Sequence, residues 1–254
     1  MLTTDVSEGI ATITLSAPPV NALSLAWNAR MHEALDELEN RSDWRVLRLR
    51  SALRVFSAGG DIKVFADRLS NPDAGRQLGE EAAHYQELFS RIEGLPQVSI
   101  AEIGGVAAGG GLELALACDL RIASDAARLG LPEVGLGLVP AAGGTQRLTR
   151  RCGPGWAMRL IGSAQLVSAS EAYQLGLIEW VFAAQEFEES ASGIVKQFAQ
   201  QPLEALITAK RCIKAALSPG DDGFVLERSA PERLMALPET RQRLEAFVAA
   251  KLGR

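Results

Sequence analysis

Three consecutive glycines at residues 109–111 run directly into an apolar segment, and they constrain the fold more than any other stretch. Glycine loses the most backbone entropy on folding, so a run of it is expected where backbone must approach another group closely. Residues 112–117 favour a helix. A glycine run that opens a helix leaves N–H groups unpaired at the positive end of the helix dipole, which suits an anion. Glu113 would lie beside that anion site. The alternative is a buried helix with a tight glycine entry and a solvated glutamate.

The composition is that of an acidic globular protein. With 254 residues the chain fits one large domain or a domain with a subdomain, and its 47% hydrophobic residues supply a core without a disulfide or metal staple. The net charge of −5 argues against a nucleic-acid surface, which would be basic. Cys118, Cys152 and Cys212 are widely spaced and indicate reduced thiols. No apolar run reaches the length of a membrane span, and no signal peptide is recognisable, so we expect a cytoplasmic protein with no membrane or nucleic-acid partner.

Strands and helices alternate in the first part of the predicted structure. Residues 10–15 alternate in polarity, which predicts a half-buried strand, and Ser24 can cap the helix that follows. Further strands are predicted at residues 45–50, 96–103 and 120–123, with a helix over residues 80–92. Ser168 and Glu171 have the spacing of a capping box. From about Gly143 the pattern is nearly all helical, which we interpret as a subdomain boundary within one cooperative unit.

A second exposed stretch of backbone is predicted at residues 56–63, where small residues including Gly59 and Gly60 follow a strand. Its N–H groups can face a ligand, although a plain turn has the same signature. Together with residues 109–111, it offers two N–H donors that can be aimed at one oxygen, and such donors stabilise an enolate or another oxyanion. The residues alone therefore predict an oxyanion-stabilising site and leave its substrate open.

A second carboxylate, Glu133, stands in an apolar loop between Pro132 and Val134. Burial there would raise its pKa towards a value useful in acid–base chemistry. Alternatively, Glu133 pairs with a distant arginine such as Arg147 or Arg150. Carboxylates in two different environments can divide acid and base roles. The sequence contains neither a candidate Ser-His-Asp set nor a Gly-x-Ser-x-Gly motif, which argues against an ordinary hydrolase.

Three motifs make the sequence similar to the enoyl-CoA hydratase/isomerase (crotonase) family. They are Phe-Ser-Ala-Gly-Gly-Asp-Ile-Lys at residues 56–63, Gly-Gly-Gly-Leu-Glu-Leu-Ala-Leu-Ala-Cys-Asp at residues 109–119 and Pro-Glu-Val-Gly-Leu-Gly at residues 132–137. The match continues over residues 140–148. The order and spacing of these motifs are specific for the superfamily and much less specific for the reaction. The resemblance implies an α/β fold, in which a spiral of ββα repeats is followed by a helical C-terminal region.

The resemblance also implies a domain plan, a substrate class and an assembly. Residues 1–185 would form the spiral core with the CoA groove and the active site, and residues 186–254 would form a helical trimerisation region. The substrate would be an acyl-CoA thioester, bound by a homotrimer or by a hexamer made of two trimers. No metal or redox cofactor is implied, because coenzyme A enters as part of the substrate.

By position in the family motifs, the N–H groups of Gly60 and Gly110 would form the oxyanion hole for the thioester carbonyl. Family hydratases use two glutamates that match Glu113 and Glu133, whereas family isomerases typically keep only one, so the presence of both favours hydration. Glu133 would deliver a proton to C2 of a 2-enoyl thioester, while Glu113 orients and deprotonates the water that attacks C3. The substrate-binding positions implied by the family are Ala22, Leu23, Ala58, Gly60, Asp61, Ile62, Lys63, Gly110, Pro132 and Ala141.

The sequence departs from the family pattern in the water pocket and in two C-terminal segments. Ala141 replaces a glycine that approaches the catalytic water, so its methyl group is expected to alter the water pocket. Residues 229–233, which include Pro231, and residues 237–243 differ from the usual signatures. For Lys63, a phosphate contact and a solvated surface lysine are both open.

An isomerase, another crotonase-type lyase and a non-catalytic RNA-binding relative are the alternatives to a hydratase. The net charge of −5 and the glutamate pair oppose the last of these.

Overall fold

The computed structural model describes residues 1–61, 66, 70–218 and 220–253. Over these ranges the chain forms a six-stranded sheet and a three-stranded sheet with helices packed around them, so the predicted α/β class is confirmed. None of the helices in the described ranges is long and apolar enough to cross a lipid bilayer.

Both sheets combine parallel and antiparallel pairs. In chain order the strands are β1 (Leu2–Ser7), β2 (Ile10–Leu15), β3 (Val46–Ser51), β4 (Val98–Ile103), β5 (Val106–Ala108), β6 (Leu120–Ser124), β7 (Arg128–Gly130), β8 (Val167–Ser168) and β9 (Trp180–Phe182). The larger sheet has the order β1-β2-β3-β4-β6-β9, and only the β1–β2 pair is antiparallel among these strands. In the smaller sheet, β7 pairs parallel to β5 and antiparallel to β8.

Helices follow most of the strands and fill the C-terminal part of the chain. They are α1 (Leu25–Glu39), α2 (Ala74–Gly94), α3 (Gly110–Ala117), α4 (Gly144–Gly162), α5 (Ala169–Gln174), α6 (Phe187–Ala199), α7 (Leu203–Ala215), α8 (Gly223–Met235) and α9 (Pro238–Leu252). A 3-10 helix over Pro132–Leu136 precedes α4. α4 is kinked at Gly153, whose φ of +78° favours glycine.

The larger sheet is buried on both faces. On one face Ile13 packs in a cluster with Phe89 of α2 and Leu114 of α3. On the other face Ile100 packs in a cluster with Val195 of α6. Every residue of β4 is buried, and its two polar side chains are paired: Ser99 with Asp119 and Glu102 with Arg48. The core therefore lies on both sides of the parallel strands, and α3 is part of it.

Several sequence predictions are confirmed, and others need correction. Ser24 caps α1 by accepting a hydrogen bond from Trp27 N, and Ser168 caps α5 in the same way from Glu171 N. Helix α2 begins at Ala74, whereas residue 80 was the predicted start. Strand β1 was not predicted. Its pairing with β2 along the whole strand supplies a ladder of backbone hydrogen bonds that a sequence pattern cannot reveal.

The C-terminal helices pack, in chain order, on the larger sheet and on one another. Helix α6 covers the sheet, α7 contacts β4 and α8, and α9 contacts α8. Proline tends to start or break a helix, but Pro231 lies inside α8, where it removes one backbone donor without ending the helix. The boundary at residue 185 and the trimerisation role of residues 186–254 stay predictions.

The start of α3 packs directly against the segment that follows β3. Ser57 and Ala107 form a parallel bridge, and Ala108 N donates to Ser57 O at 3.0 Å. A Cβ atom added to Gly111 would lie 2.3 Å from Ser57 O, and one added to Gly59 would lie 2.8 Å from Ala108 O. No methyl group fits between backbones this close. The glycines therefore set the distance between the two segments.

Replacing Gly111 with alanine is expected to lower the free energy of unfolding by about 1–3 kcal/mol, because the backbone at Ser57 must move to accept the methyl group. The matched control is Gly193→Ala on the exposed side of α6, where an added Cβ meets nothing within 4 Å among the described residues. The control should gain up to about 1 kcal/mol from helix propensity. Urea denaturation measures both changes. A Gly111→Ala variant as stable as the parent protein would contradict the close-packing account.

Candidate active site

Helix α3 begins beside an N–H group that is free to meet a ligand. Gly109 precedes the helix with φ +54°, and its own N–H donates to Gly130 O at 2.9 Å. Gly110 is the first helical residue, and its N–H donates to no oxygen within the described part of the chain. First-turn N–H groups lack a partner within their own helix, and they carry the positive end of its dipole.

Gly60 lies against this helix start. Leu23 N donates to Gly59 O at 2.8 Å, and Leu23 forms a bridge with Gly60. A Cβ atom added to Gly59 would lie 3.1 Å from Gly110 N. Over the described ranges, the N–H of Gly60 also donates to no oxygen of the protein. The two donors expected from the family motifs therefore belong to backbone segments in direct contact.

Glu113 lies one turn into α3 and is only 3% exposed. Its Oε1 atom accepts hydrogen bonds from Ala142 N and from Gly144 N, each at 2.8 Å. Among the described residues no donor is bonded to its Oε2 atom, which lies 4.0 Å from the position of a Cβ added to Gly110. One oxygen of Glu113 is thus fixed by the backbone, and the other faces the glycine run.

The surroundings of Glu113 raise its pKa to about 7, and burial is the largest cause. The negative charge of Glu133 also raises this pKa, whereas the N–H donors of Gly144 and Ala142 and the charge of Arg147 lower it. These opposing effects leave a carboxyl group that gains or loses its proton near neutral pH. Such a group is suited to proton transfer in either direction.

Glu133 reaches the same glycine run from the 3-10 helix. A Cβ atom added to Gly109 would lie 2.9 Å from Oε1 of Glu133. Its Oε2 atom is buried and has no hydrogen-bond partner among the described residues. Burial raises the pKa of this carboxyl group. The alternative pairing with Arg147 or Arg150 is wrong, because both arginines are paired with Glu93.

The other expected substrate-binding residues lie at several depths around this centre. Leu23 is buried, and its Cδ1 atom would lie 3.0 Å from a Cβ added to Gly110. Ala22, Asp61 and Pro132 are half-buried, and Ala58 and Ala141 are exposed. Ile62 and Lys63 lie outside the described residues. Ala141 does not contact Glu113 through its N–H; the neighbouring Ala142 does.

Sequence reasoning missed the loop that holds Glu113. Gln86 Nε2 on α2 donates to Ala141 O at 2.6 Å, and Arg147 Nη1 on α4 donates to Ala142 O at 3.0 Å. A signal for this loop was present in the sequence, because Gly143 and Gly144 precede a helix in the same way as residues 109–111 do. That signal indicates exposed N–H groups but does not identify their acceptor.

A cleft of about 830 Å³ lies at the opposite end of α3 and contains neither glutamate. Its cationic side chains bind the ends of two helices. Lys214 donates to Glu93 O near the end of α2, and Arg151 donates to Asp119 O at 2.7 Å just beyond α3. Cations at these positions satisfy carbonyls and oppose the negative ends of the helix dipoles. We therefore place the candidate active site at the glutamates and not in this cleft.

The raised pKa of Glu113 predicts a pH-dependent cost in stability. A carboxyl group with a pKa of about 7 when folded and 4.5 when unfolded binds its proton more tightly in the folded protein. The stability that Glu113 gains from this tighter proton binding is fully present below pH 4.5 and is lost as the pH rises through 7. As the pH rises, the free energy of unfolding of Glu113→Gln should therefore increase relative to that of the parent protein, by up to about 3 kcal/mol.

Urea denaturation at pH 4.5, 6, 7 and 8 measures that difference. Glu87→Gln, at an exposed position on α2, is the matched control and should show no such trend. A constant difference between the Glu113→Gln variant and the parent protein at all four pH values would mean that Glu113 titrates normally.

Relatives with known names support a single family. The model of the enoyl-CoA hydratase/isomerase family matches residues 5–248. A Bacillus subtilis protein described as a probable enoyl-CoA hydratase is 41% identical over 203 residues, which cover 79% of this chain and 77% of that protein. The Bacillus subtilis protein YngF is 38% identical over 244 residues, which cover 95% of this chain and 92% of YngF.

Solved structures agree with the family match. An enoyl-CoA hydratase from Bacillus anthracis has a TM-score of 0.88 at 34% identity, and the match covers 100% of this chain and 96% of that one. Pseudomonas aeruginosa DspI also has a TM-score of 0.88 at 34% identity, with 97% and 93% coverage. The protein has the crotonase fold and belongs to the enoyl-CoA hydratase/isomerase family.

Proposed function

We propose that this protein is an enoyl-CoA hydratase that adds water reversibly, and on one face, to a 2-enoyl-CoA to give a 3-hydroxyacyl-CoA. The observation that carries the proposal is the convergence of a buried glutamate, Glu113, and a half-buried one, Glu133, on one glycine run. In each of them the Oε2 atom has no donor from the described chain. Coenzyme A takes part as a portion of the substrate, and the proposed chemistry uses no metal or redox cofactor.

The backbone of Gly60 and Gly110 is proposed to bind the thioester oxygen. Attack at C3 moves electrons through the conjugated system, so negative charge develops on that oxygen. N–H groups that are already oriented stabilise this charge without reorganising during the reaction, and one such donor typically contributes a factor of about 10²–10³ in rate. The dipole of α3 adds to the effect at Gly110.

The two glutamates are proposed to hold and activate one water molecule. Glu113, with Oε1 fixed by two N–H groups, would accept the proton of the attacking water through Oε2. Glu133 would deliver a proton to C2. Hydrogen bonds to Oε1 favour the ionised form of Glu113. Burial raises the pKa of Glu133, whose Oε2 atom has no donor among the described residues, and this eases uptake of the proton that Glu133 passes to C2. Activity in this scheme requires ionised Glu113, so it depends on the pKa of about 7.

Hydration makes use of both carboxyl groups, whereas double-bond migration needs only one. An isomerase moves a single proton between two carbons, which one glutamate can accomplish. Addition of water requires one proton to be removed from the water and another to be placed on C2 at about the same time. The second carboxylate, whose buried Oε2 atom has no donor among the described residues, is costly to the fold and has a chemical use in hydration.

We also propose that the C-terminal helices contribute to a homotrimer or to a hexamer of two trimers. Large apolar side chains on α8 and α9 are exposed in the single chain, and extensive apolar surface of this kind marks an interface. These residues are Phe224, Val225, Met235, Leu244, Phe247, Val248 and Leu252.

An assay with crotonyl-CoA, followed by loss of the enone absorbance, tests the proposal. The parent protein should hydrate crotonyl-CoA or a longer 2-enoyl-CoA. Glu113→Gln and Glu133→Gln should each lower kcat at least about 100-fold, because each removes a proton acceptor or donor. Glu87→Gln is the control and should keep full activity.

Two results would overturn the assignment. One is migration of the double bond in a 3-enoyl-CoA by a protein that hydrates no 2-enoyl-CoA of any chain length, which would identify an isomerase. The other is unchanged hydration in both glutamine variants, which would place the chemistry elsewhere.

A further inference from the structure

We infer that Arg147 is a positioning residue, whose guanidinium holds the loop at residues 141–144 so that the N–H groups of this loop fix Glu113 for proton transfer. The activity measurements that test this inference rest on the proposed hydratase function. A second test measures the ionisation of Glu113 and does not depend on activity.

The backbone of the loop presents opposite polarity to its two sides. The N–H groups of Ala142 and Gly144 point inward to Oε1 of Glu113. Between them, the carbonyl of Ala142 points outward and accepts from Arg147 Nη1 at 3.0 Å. The two donors belong to the peptide groups on either side of this one, so a rotation of the peptide between Ala142 and Gly143 would displace both. Arg147 opposes that rotation by holding the Ala142 carbonyl.

The guanidinium occupies space that only a glycine leaves open. Gly143 has φ +102°, and a Cβ atom added there would lie 2.2 Å from Nη1 of Arg147. The backbone N–H of Arg147 also donates to Gly143 O at 2.9 Å, at the first turn of α4. Arg147 thus contacts the loop through both its side chain and its backbone.

Arg147 is itself held from α2. Its Nε and Nη2 atoms donate to Oε2 of Glu93 at 3.0 and 2.8 Å, and Nη2 lies 3.4 Å from Ser90 Oγ. The Arg147 side chain is 8% exposed and that of Glu93 is 37% exposed, so the arginine end of the ion pair is shielded from water. A planar guanidinium can bind Glu93 and the Ala142 carbonyl in fixed directions at once, whereas an ammonium group cannot reproduce that geometry.

The charge of Arg147 acts on Glu113 as well. It lowers the pKa of Glu113, against the effects of burial and of the Glu133 charge from the 3-10 helix. The N–H donors of Ala142 and Gly144 act in the same direction as Arg147. Loss of Arg147 removes its charge directly and loosens both donors, so every consequence makes Glu113 harder to ionise.

Three variants separate positioning from general stability. Arg147→Met removes both the guanidinium and its charge. Arg147→Lys keeps the positive charge but lacks the planar guanidinium. Glu93→Gln weakens the ion pair that holds the guanidinium in place. Arg150→Met is the matched control. Its exposed side chain lies 3.9 Å from Glu93, so it removes a nearby charge that the loop does not contact.

For Arg147→Met we expect kcat to fall about 10–100-fold while KM stays within about threefold. The acidic limb of the pH profile of kcat/KM should move to higher pH by at least about half a unit. Arg147→Lys should lose kcat with a smaller shift of the limb, and Glu93→Gln should change both in the same direction as Arg147→Met but by less. Arg150→Met should match the parent protein in both.

The second measurement does not depend on turnover. The pH at which Glu113→Gln gains stability over its own parent, from urea denaturation, reports the ionisation of Glu113. The pH at which Glu113→Gln gains stability should be higher when both proteins also carry Arg147→Met. If Arg147→Met does not fold, the double variant Arg147→Lys and Glu93→Gln takes its place. Absence of hydratase activity in the parent protein alongside this shift would reject the proposed function and keep the positioning role. An unshifted transition, or equal changes in Arg150→Met, would overturn the positioning role.

Discussion

The backbone contact between residues 57–60 and the start of α3 is the constraint on which the site depends. Gly59 and Gly111 allow this contact because a side chain at either position would collide with backbone oxygen atoms. The contact joins the backbone segments that carry the N–H groups of Gly60 and Gly110. It also fixes α3, which carries Glu113 one turn later. A change in this distance would therefore move the proposed oxyanion donors and the carboxylate together.

The site also shows how a buried carboxylate is kept close to its point of ionisation. Burial and a neighbouring negative charge favour the neutral form of Glu113, while two backbone donors and Arg147 favour the ionised form. Burial is the largest of these effects, and the donors and Arg147 offset only part of it, so the pKa lies at about 7. The arrangement reduces stability at neutral pH, and it produces a group that can exchange a proton there. The stability cost and the proposed catalytic role have the same physical origin.

Local features of the site could be predicted from the sequence, because they depend on neighbouring residues. The glycine run at α3, the Ser24 cap and the apolar surroundings of Glu133 are of this kind. The acceptor of the Ala142 and Gly144 N–H groups could not be predicted, since it lies 29 and 31 residues earlier in the chain. The pairing of Arg147 with Glu93 could not be predicted for the same reason. Only the packing of α2 against α3 and α4 brings Glu93 to it.

The central claim is that the two glutamates add one water molecule to a 2-enoyl-CoA, and isotope labelling tests it most directly. The reaction is run to low conversion in H₂¹⁸O and, separately, in D₂O, and the product is analysed by mass spectrometry and NMR. The account predicts one ¹⁸O atom at C3 and one deuterium at C2, both added to the same face. Incorporation of deuterium without any ¹⁸O, accompanied by a shifted double bond, would contradict it.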